Sequence, residues 1–231
     1  MAASGRQLEA RIVDLILERR LTAGEPLPAE PVLSKTLGAS RNSIREAVRA
    51  LHTLGIVELR HGYGTFVGRA PLTAVTPGLL FRTRLAVRED PRALADLVEV
   101  RELLELGLIE QVAEHADDQL LRSLDEEVAA MRAGDLPGAD RRFHEKLYAR
   151  ITNELATQLI ALFWDVYHQV AAELEAPPVD SGQVADSHRR IVDALRAHDA
   201  AQARRVLRYH FEDLHERVDR MVEAARARSS A

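Results

Sequence analysis

The sequence predicts a mainly α protein in two parts: a small head carrying one strand pair, and a longer body built only of helices. Three observations lead there. Residues 27–67 pack two short helical patterns, a turn and a glycine-punctuated strand pair into about forty residues. From Leu79 onward the periodicity is helical, with no convincing strand. Between them, residues 68–78 hold two prolines and two glycines and read as a linker. The expected division is a head at 1–69, a linker at 70–78 and an all-helical body at 79–231.

In the head, Gln7 to Arg20 reads as a first helix, with Leu8, Ile12, Leu15 and Ile16 on one face. The run from Leu21 to Pro28 is a turn-rich connector. Pro28 and Pro31 suit the first turn of a short helix to about Leu37, where a missing amide donor costs little. Gly38 breaks that helix, and Ser40 is placed to cap another that runs to about Leu54, where Gly55 stops it. Ile56–Leu59 and Thr65–Val67 flank His61-Gly-Tyr-Gly64 as a hairpin. In the body, helical spans fall at 78–88, 91–115, 117–133, 136–150, 153–175, 183–198 and 200–228, forming an antiparallel bundle. The breaks lie at Asp90-Pro91, Gly134–Gly138, Pro177-Pro178 and His198-Asp199.

Bulk properties bound the function. The 231 residues are 46% hydrophobic and 29% charged, ordinary for a globular protein. No apolar run approaches the roughly 18 residues of a membrane span, and residues 1–20 are too charged for a signal peptide. With no cysteine there is neither a disulfide framework nor a thiolate metal site. A cytoplasmic protein fits best. The net charge of −5 is unevenly spread, with +3 on residues 1–69 and −8 on the rest. The acidic total is therefore no argument against DNA binding by the head.

In the helix from Arg41, Ile44, Ala47, Val48, Leu51 and Leu54 face a core, while Arg41, Arg45 and Arg49 share another face with Asn42 near its start. Arginine pairs bidentately with the guanine edge, and arginine or asparagine also binds phosphate. An isolated arginine stripe is usually a solvated face. Here a short preceding helix and a glycine-rich hairpin frame it as a recognition helix with a wing.

This stretch resembles the winged helix-turn-helix of GntR-type bacterial regulators. The matching pieces are Gly24-Glu-Pro-Leu-Pro-Ala-Glu30, Ser40-Arg-Asn-Ser-Ile-Arg-Glu-Ala47 and Gly62-Tyr-Gly-Thr-Phe-Val67. The resemblance implies that Ser40, Arg41 and Arg45 contact bases or phosphates and that His61 and Gly62 approach the minor groove. Asn42, Ser43 and Arg49 complete the candidate DNA-binding set. Pro31 stands where relatives often carry a base-contacting arginine, so operator preference at that base is open.

The body offers a metal constellation. Asp140 and His144 lie one helical turn apart and point the same way. His188 and His210 are separated by a helix break near His198-Asp199, so a helix climbing from one and descending to the other returns them to the same level. One carboxylate and three imidazoles suit Zn, Ni, Co, Mn or Fe(II), with positions left for water or an anion. The competing reading is four polar residues satisfied in a core. The body also resembles the helical effector domain of the FadR-like (FCD) branch, through Asp140-Arg-Arg-Phe-His144 and the contexts of His188 and His210. That resemblance implies a divalent metal cofactor, with Zn foremost.

It further implies that Arg101 meets the carboxylate of a small organic acid and that Asn153 lies on the pocket side. An internal salt bridge is the alternative for Arg101, and a helix N-cap for Asn153. His52, His115, His168, His198 and His215 read as surface or ordinary interior residues, and Phe163, Trp164 and Tyr167 as core or pocket wall.

The implied protein is a ligand-responsive, sequence-specific transcriptional regulator, expected to repress. A homodimer would sit on pseudo-palindromic double-stranded DNA, with no membrane partner. A metalloregulator sensing the metal itself is one alternative and a metal-dependent enzyme another. The enzyme reading is weak, since no general base flanks the ligands. His144-Glu-Lys-Leu-Tyr148 starts like a zincin motif but has tyrosine at the second histidine position. No catalytic residues are expected.

Overall fold

The computed structural model describes residues 5–90, 92–174 and 180–229. The chain divides into two compact units, Met1–Val75 and Thr76–Ala231. The expected breaks at Pro91 and Pro177-Pro178 lie outside the described residues.

The first unit holds helices α1 (Gly5–Glu18), α2 (Glu30–Leu37) and α3 (Arg41–Thr53), then strands β1 (Val57–Arg60) and β2 (Gly64–Val67). The strands pair antiparallel with Val57 opposite Val67 and Arg60 opposite Gly64. The apolar face of α1 meets Leu33 and Leu37 of α2, Ile44, Val48 and Leu51 of α3, and Val57 and Val67 of the hairpin in one core. Leu54 departs from expectation. It follows the last turn of α3 as its cap residue and is 45% exposed.

The turn between α2 and α3 is built from local chemistry. Gly38 adopts φ 61°, a left-handed conformation that a Cβ disfavours, and its N–H bonds to Ser34 O. Ser34 Oγ donates to Ala39 O at 2.6 Å, and Ser40 Oγ then accepts from Ser43 N–H at 3.1 Å to cap α3. Pro31 lies in the first turn of α2, whereas Pro28 precedes the helix.

The connector before α2 does more than turn. Gly24 N–H donates to Val67 O, Leu27 N–H to Thr65 O and Val67 N–H to Glu25 O, each at 2.8 Å, so residues 24–27 line the outer edge of β2. Pro26, which has no donor, tolerates this edge position. The start of the expected linker is likewise tied down. Gly68 N–H donates to Ile56 O at 2.8 Å and Ala70 N–H to Gly55 O at 2.9 Å. A 3-10 turn occupies Leu72–Val75 and α4 begins at Thr76, inside the stretch read as linker. Pro77 fits there because the first helical turn needs no internal donor.

The second unit comprises α4 (Thr76–Glu89), α5 (Ala93–Glu114), α6 (Asp118–Arg132), α7 (Leu136–Leu147), α8 (Glu154–Glu173), α9 (Ser181–Arg196) and α10 (Ala200–Ser229). Helix α5 packs against α8 and α10, α6 against α7 and α9, and α9 against α10. Their shared core includes Leu94, Ile109, Leu124, Phe143, Val166, Ile191 and Phe211, all fully buried. Asp117 caps α6 by accepting from Leu120 N–H at 2.8 Å, and Asp180 caps α9. No helix among the described residues is long and apolar enough to cross a membrane.

Candidate functional site

Helix α7 presents Asp140 and His144, α9 presents His188, and α10 presents His210. One nitrogen from each of the three histidines lies within 4.8 Å of the others. The His188 and His210 rings are 4.6 Å apart, as an ascending and returning helix pair requires. Asp140 Oδ1 stands 2.9 Å from His188 Nε2 and 3.6 Å from His144 Nε2. His144 and His188 are buried beside Phe143, and His210 is 9% exposed.

The outer nitrogens of two imidazoles are already committed. His188 Nδ1–H donates to Val184 O at 2.8 Å, and His144 Nδ1–H donates to Glu105 Oε2 at 3.0 Å. Each ring therefore turns Nε2 inward, and both Nε2 atoms are buried without a hydrogen-bond partner. Buried polar atoms are rarely left so. A cation seated between Asp140 Oδ1 and His188 Nε2, 2.9 Å apart, would give both atoms a partner. Neighbouring ligands on bonds of about 2.1 Å lie roughly 3.0–3.4 Å apart, and Asp140 Oδ1 stands 2.9 and 3.6 Å from two of the Nε2 atoms. The donor set, its orphaned nitrogens and the hydrogen bonds behind them fit a divalent metal.

Electrostatics point the same way. Burial holds His144 and His210 below the ordinary histidine range, in the neutral form that ligates. Burial alone would raise the Asp140 carboxyl. The neighbouring imidazoles of His168, His188 and His144 take it well below its usual range instead. Glu105 behaves likewise: burial opposes its charge, but Arg101 and His144 bring it down to about 2.

Glu105 is fully buried and also accepts from Tyr148 Oη at 3.0 Å and from Arg101 Nε. Arg101 thus makes the internal salt bridge that the sequence left open, yet its Nη2 remains buried and unpartnered. A cavity of about 450 Å³ opens beside these groups, lined by Arg101, Asp140, His168, His188, His210 and Arg217 among others. Of the two readings left open for Asn153, the structure takes the helix cap. Asn153 is exposed, its Oδ1 caps α8 by accepting from Ala156 N–H at 3.1 Å, and it does not line the cavity.

His168, read from sequence as a surface or ordinary interior residue, lies against the cluster. It stacks on Trp164 at 3.5 Å, bonds Trp164 O through Nδ1, and sets Nε2 3.5 Å from Asp140 Oδ2. Trp164 Nε1–H donates to the same oxygen at 3.3 Å. Glu105 was missed by the sequence reading, although a signal existed. Arg101 and Glu105 share the stripe of Leu94, Leu97, Val98 and Ile109, so two charges sit in phase with buried apolar positions.

In the head, Ile44, Ala47, Val48 and Leu51 are buried, while Arg41, Asn42, Ser43, Arg45 and Arg49 stand exposed on the rest of α3. Arg45 pairs with Glu30 at 3.3 Å and Arg49 with Glu46 at 2.9 Å. Exposed pairs of this kind contribute little and exchange readily for phosphate. Ser40 Oγ makes the cap described above and also meets Ser43 Oγ at 2.9 Å. His61 and Gly62 are exposed at the hairpin tip, where Gly62 adopts φ 77°. Tyr63 beside them is 84% exposed.

Residues 5–67 match the family described as bacterial regulatory proteins, gntR family, and residues 96–213 match the FCD domain. The chain is 30% identical to the putative L-lactate dehydrogenase operon regulatory protein of Escherichia coli (strain K12), over 92% of this chain and 85% of that one. It is 27% identical to the HTH-type transcriptional regulator LutR of Bacillus subtilis (strain 168), over 85% and 92% respectively. Among solved structures, a GntR protein of Streptococcus agalactiae superposes with a TM-score of 0.66 at 28% identity, covering 92% of this chain and 99% of that one.

Proposed function

The chain belongs to the GntR family of bacterial regulatory proteins, with an FCD domain as its second unit, and on that premise we propose that it is an acid-responsive, metal-containing repressor. That it is a DNA-binding transcriptional regulator and not an enzyme follows from its family and relatives. Its effector, its metal and the sign of its response are our reading.

The observation that carries this reading is the pair of buried, unpartnered Nε2 atoms of His144 and His188, beside a cavity into which Arg101 projects. Asp140, His144, His188 and His210 would hold a divalent cation such as Zn. When bound, that cation would supply a Lewis-acidic anchor for an oxygen ligand. Glu105 keeps His144 in the ligating tautomer and holds Arg101 by its Nε, which leaves Nη2 for the carboxylate of an organic acid. One relative is named for an L-lactate dehydrogenase operon, so 2-hydroxy acids are the first class to try.

On the DNA side, a homodimer would set two copies of α3 into successive major grooves, each with a wing tip at the adjoining minor groove. Arg41, Arg45 and Arg49, with Asn42, Ser43 and the capped start at Ser40, would read the half-site. His61 and Gly62 would follow the minor groove. An effector that prefers one arrangement of the dimer would shift the DNA-competent population.

The test is a thermal-shift screen of small carboxylic acids against metal-loaded and chelator-stripped protein. An effector that stabilises only the loaded form supports the reading, because ligand binding raises stability by mass action. A strong metal shift to which no acid adds makes the metal itself the signal. No response to either removes the site assignment.

A further inference from the structure

We propose that the effector is a two-headed acid, a dicarboxylate whose second carboxylate is held by Arg217. The inference rests on the acid-sensing reading above and narrows it to a ligand class.

Among the described residues, five buried side-chain nitrogen or oxygen atoms lack a hydrogen-bond partner. Two are the Nε2 atoms of His144 and His188, which call for a cation. The other three are Arg101 Nη2, Arg217 Nε and Tyr167 Oη. Two of these are obligate donors, the third is a hydroxyl, and no carboxylate oxygen is among the five. The unmet demand is therefore for oxygen acceptors, at more than one place.

The two guanidinium groups come from different helices, Arg101 from α5 and Arg217 from α10. Arg217 lies seven residues beyond His210 on α10, two turns along the same face, or about 10 Å at 1.5 Å per residue. Helical side chains lean toward the N-terminus, so the Arg217 guanidinium reaches back toward His210. Arg101 and Arg217 both line the same cavity. Tyr167 is buried on α8.

Of the other acids lining the cavity, Asp180 caps α9, Glu216 pairs with Arg220 at 3.7 Å, and Asp213, one turn before Arg217 on α10, still leaves Arg217 Nε without a partner. The cavity of about 450 Å³ is within the range of sites that enclose an extended ligand, roughly 300–1,000 Å³. A monocarboxylate anchored beside the histidines would leave Arg217 Nε without an acceptor. A chain of four or five carbons with a carboxylate at each end answers both guanidinium groups.

The test uses the full-length, Zn-loaded protein and two matched pairs in calorimetric titration: L-lactate with L-malate, and 2-hydroxybutyrate with 2-hydroxyglutarate. Within each pair the second acid adds only the distal carboxylate. At least one diacid should bind about ten- to a hundredfold tighter than its partner, the range of one charge-assisted hydrogen bond. In Arg217→Gln this preference should collapse while monoacid affinity stays put, and Arg217→Lys should keep part of it.

Equal affinities within both pairs overturn the proposal and leave the acid-sensing reading standing. A diacid preference that survives Arg217→Gln overturns it too, as does a variant that weakens both members of a pair equally. If no acid of either kind binds the parent protein, the acid-sensing reading itself fails, and this proposal with it.

Discussion

Replacing Glu105 by glutamine should unlock the body of the protein. The carboxylate is fully buried and joins Arg101, His144 and Tyr148, which come from α5, α7 and the residue after α7. Glutamine keeps the shape and one acceptor but removes the charge, so the Arg101 guanidinium, 3% exposed, loses its counter-ion. Removing one partner of a buried pair costs about 3–5 kcal/mol. The linkage argument gives a similar size. A carboxyl at about 2 in the folded chain against 4.5 unfolded corresponds to about 3 kcal/mol.

Because the folded value is depressed, that contribution is fully present above about pH 4.5 and is lost as pH falls toward 2. The gap between parent and Glu105→Gln should therefore be widest near neutrality and shrink to about two fifths of its size near pH 3. Urea melts of chelator-stripped protein would measure it. The single tryptophan, Trp164, lies in the body and reports that unit alone. Metal affinity should fall about ten- to a hundredfold, as expected when a histidine ligand loses its supporting carboxylate. A variant within about 0.5 kcal/mol of the parent at pH 7, with unchanged metal affinity, would refute the network.

Further outcomes are expected elsewhere. A Cβ at Gly68 would stand 2.0 Å from Gly55 O, so Gly68→Ala should destabilise the head by about 1–3 kcal/mol, measurable by hydrogen exchange of its amides. Arg45→Ala should abolish preference for operator over random duplex and lower the salt slope of binding by about one. Equal discrimination by variant and parent would sink the recognition-helix assignment. Glu30→Ala, which frees Arg45 from its exposed pair, should instead tighten binding to random duplex in a low-salt mobility shift. Asp117 is held below its ordinary range chiefly by Arg150, so its ion pair supports the start of α6 above the unfolded value and fades as pH falls. Asp117→Asn should retain the cap and flatten the acid limb of a melting profile.

Much of the molecule was legible in the chain because the controlling physics is local. Gly38, Ser40 and the spacing from Ile44 to Leu51 place α2, the turn and α3 through short-range sterics, one cap and one apolar stripe. Asp140 and His144 share a helix face by the geometry of a single turn, and the break near His198-Asp199 returns His210 to His188. The wing was legible as a strand pair. Its third edge, residues 24–27, was not, because a proline- and glycine-rich run carries turn chemistry whether or not a strand lies beside it.

What the sequence determined by itself was therefore the set of elements, the exposed arginine face and the donor types available for a metal. Tertiary packing decided which polar groups meet. An asparagine before a helix reads the same as cap or pocket wall, and only the packed structure assigned Asn153 to the cap. It alone brought His168 to Asp140, locked Arg101 against Glu105 and left Arg217 facing the same cavity. Caps and periodic faces depend on neighbours within a turn or two of chain. Burial and pairing of a charge depend on which other helix lies across from it, and sequence separation does not encode that distance.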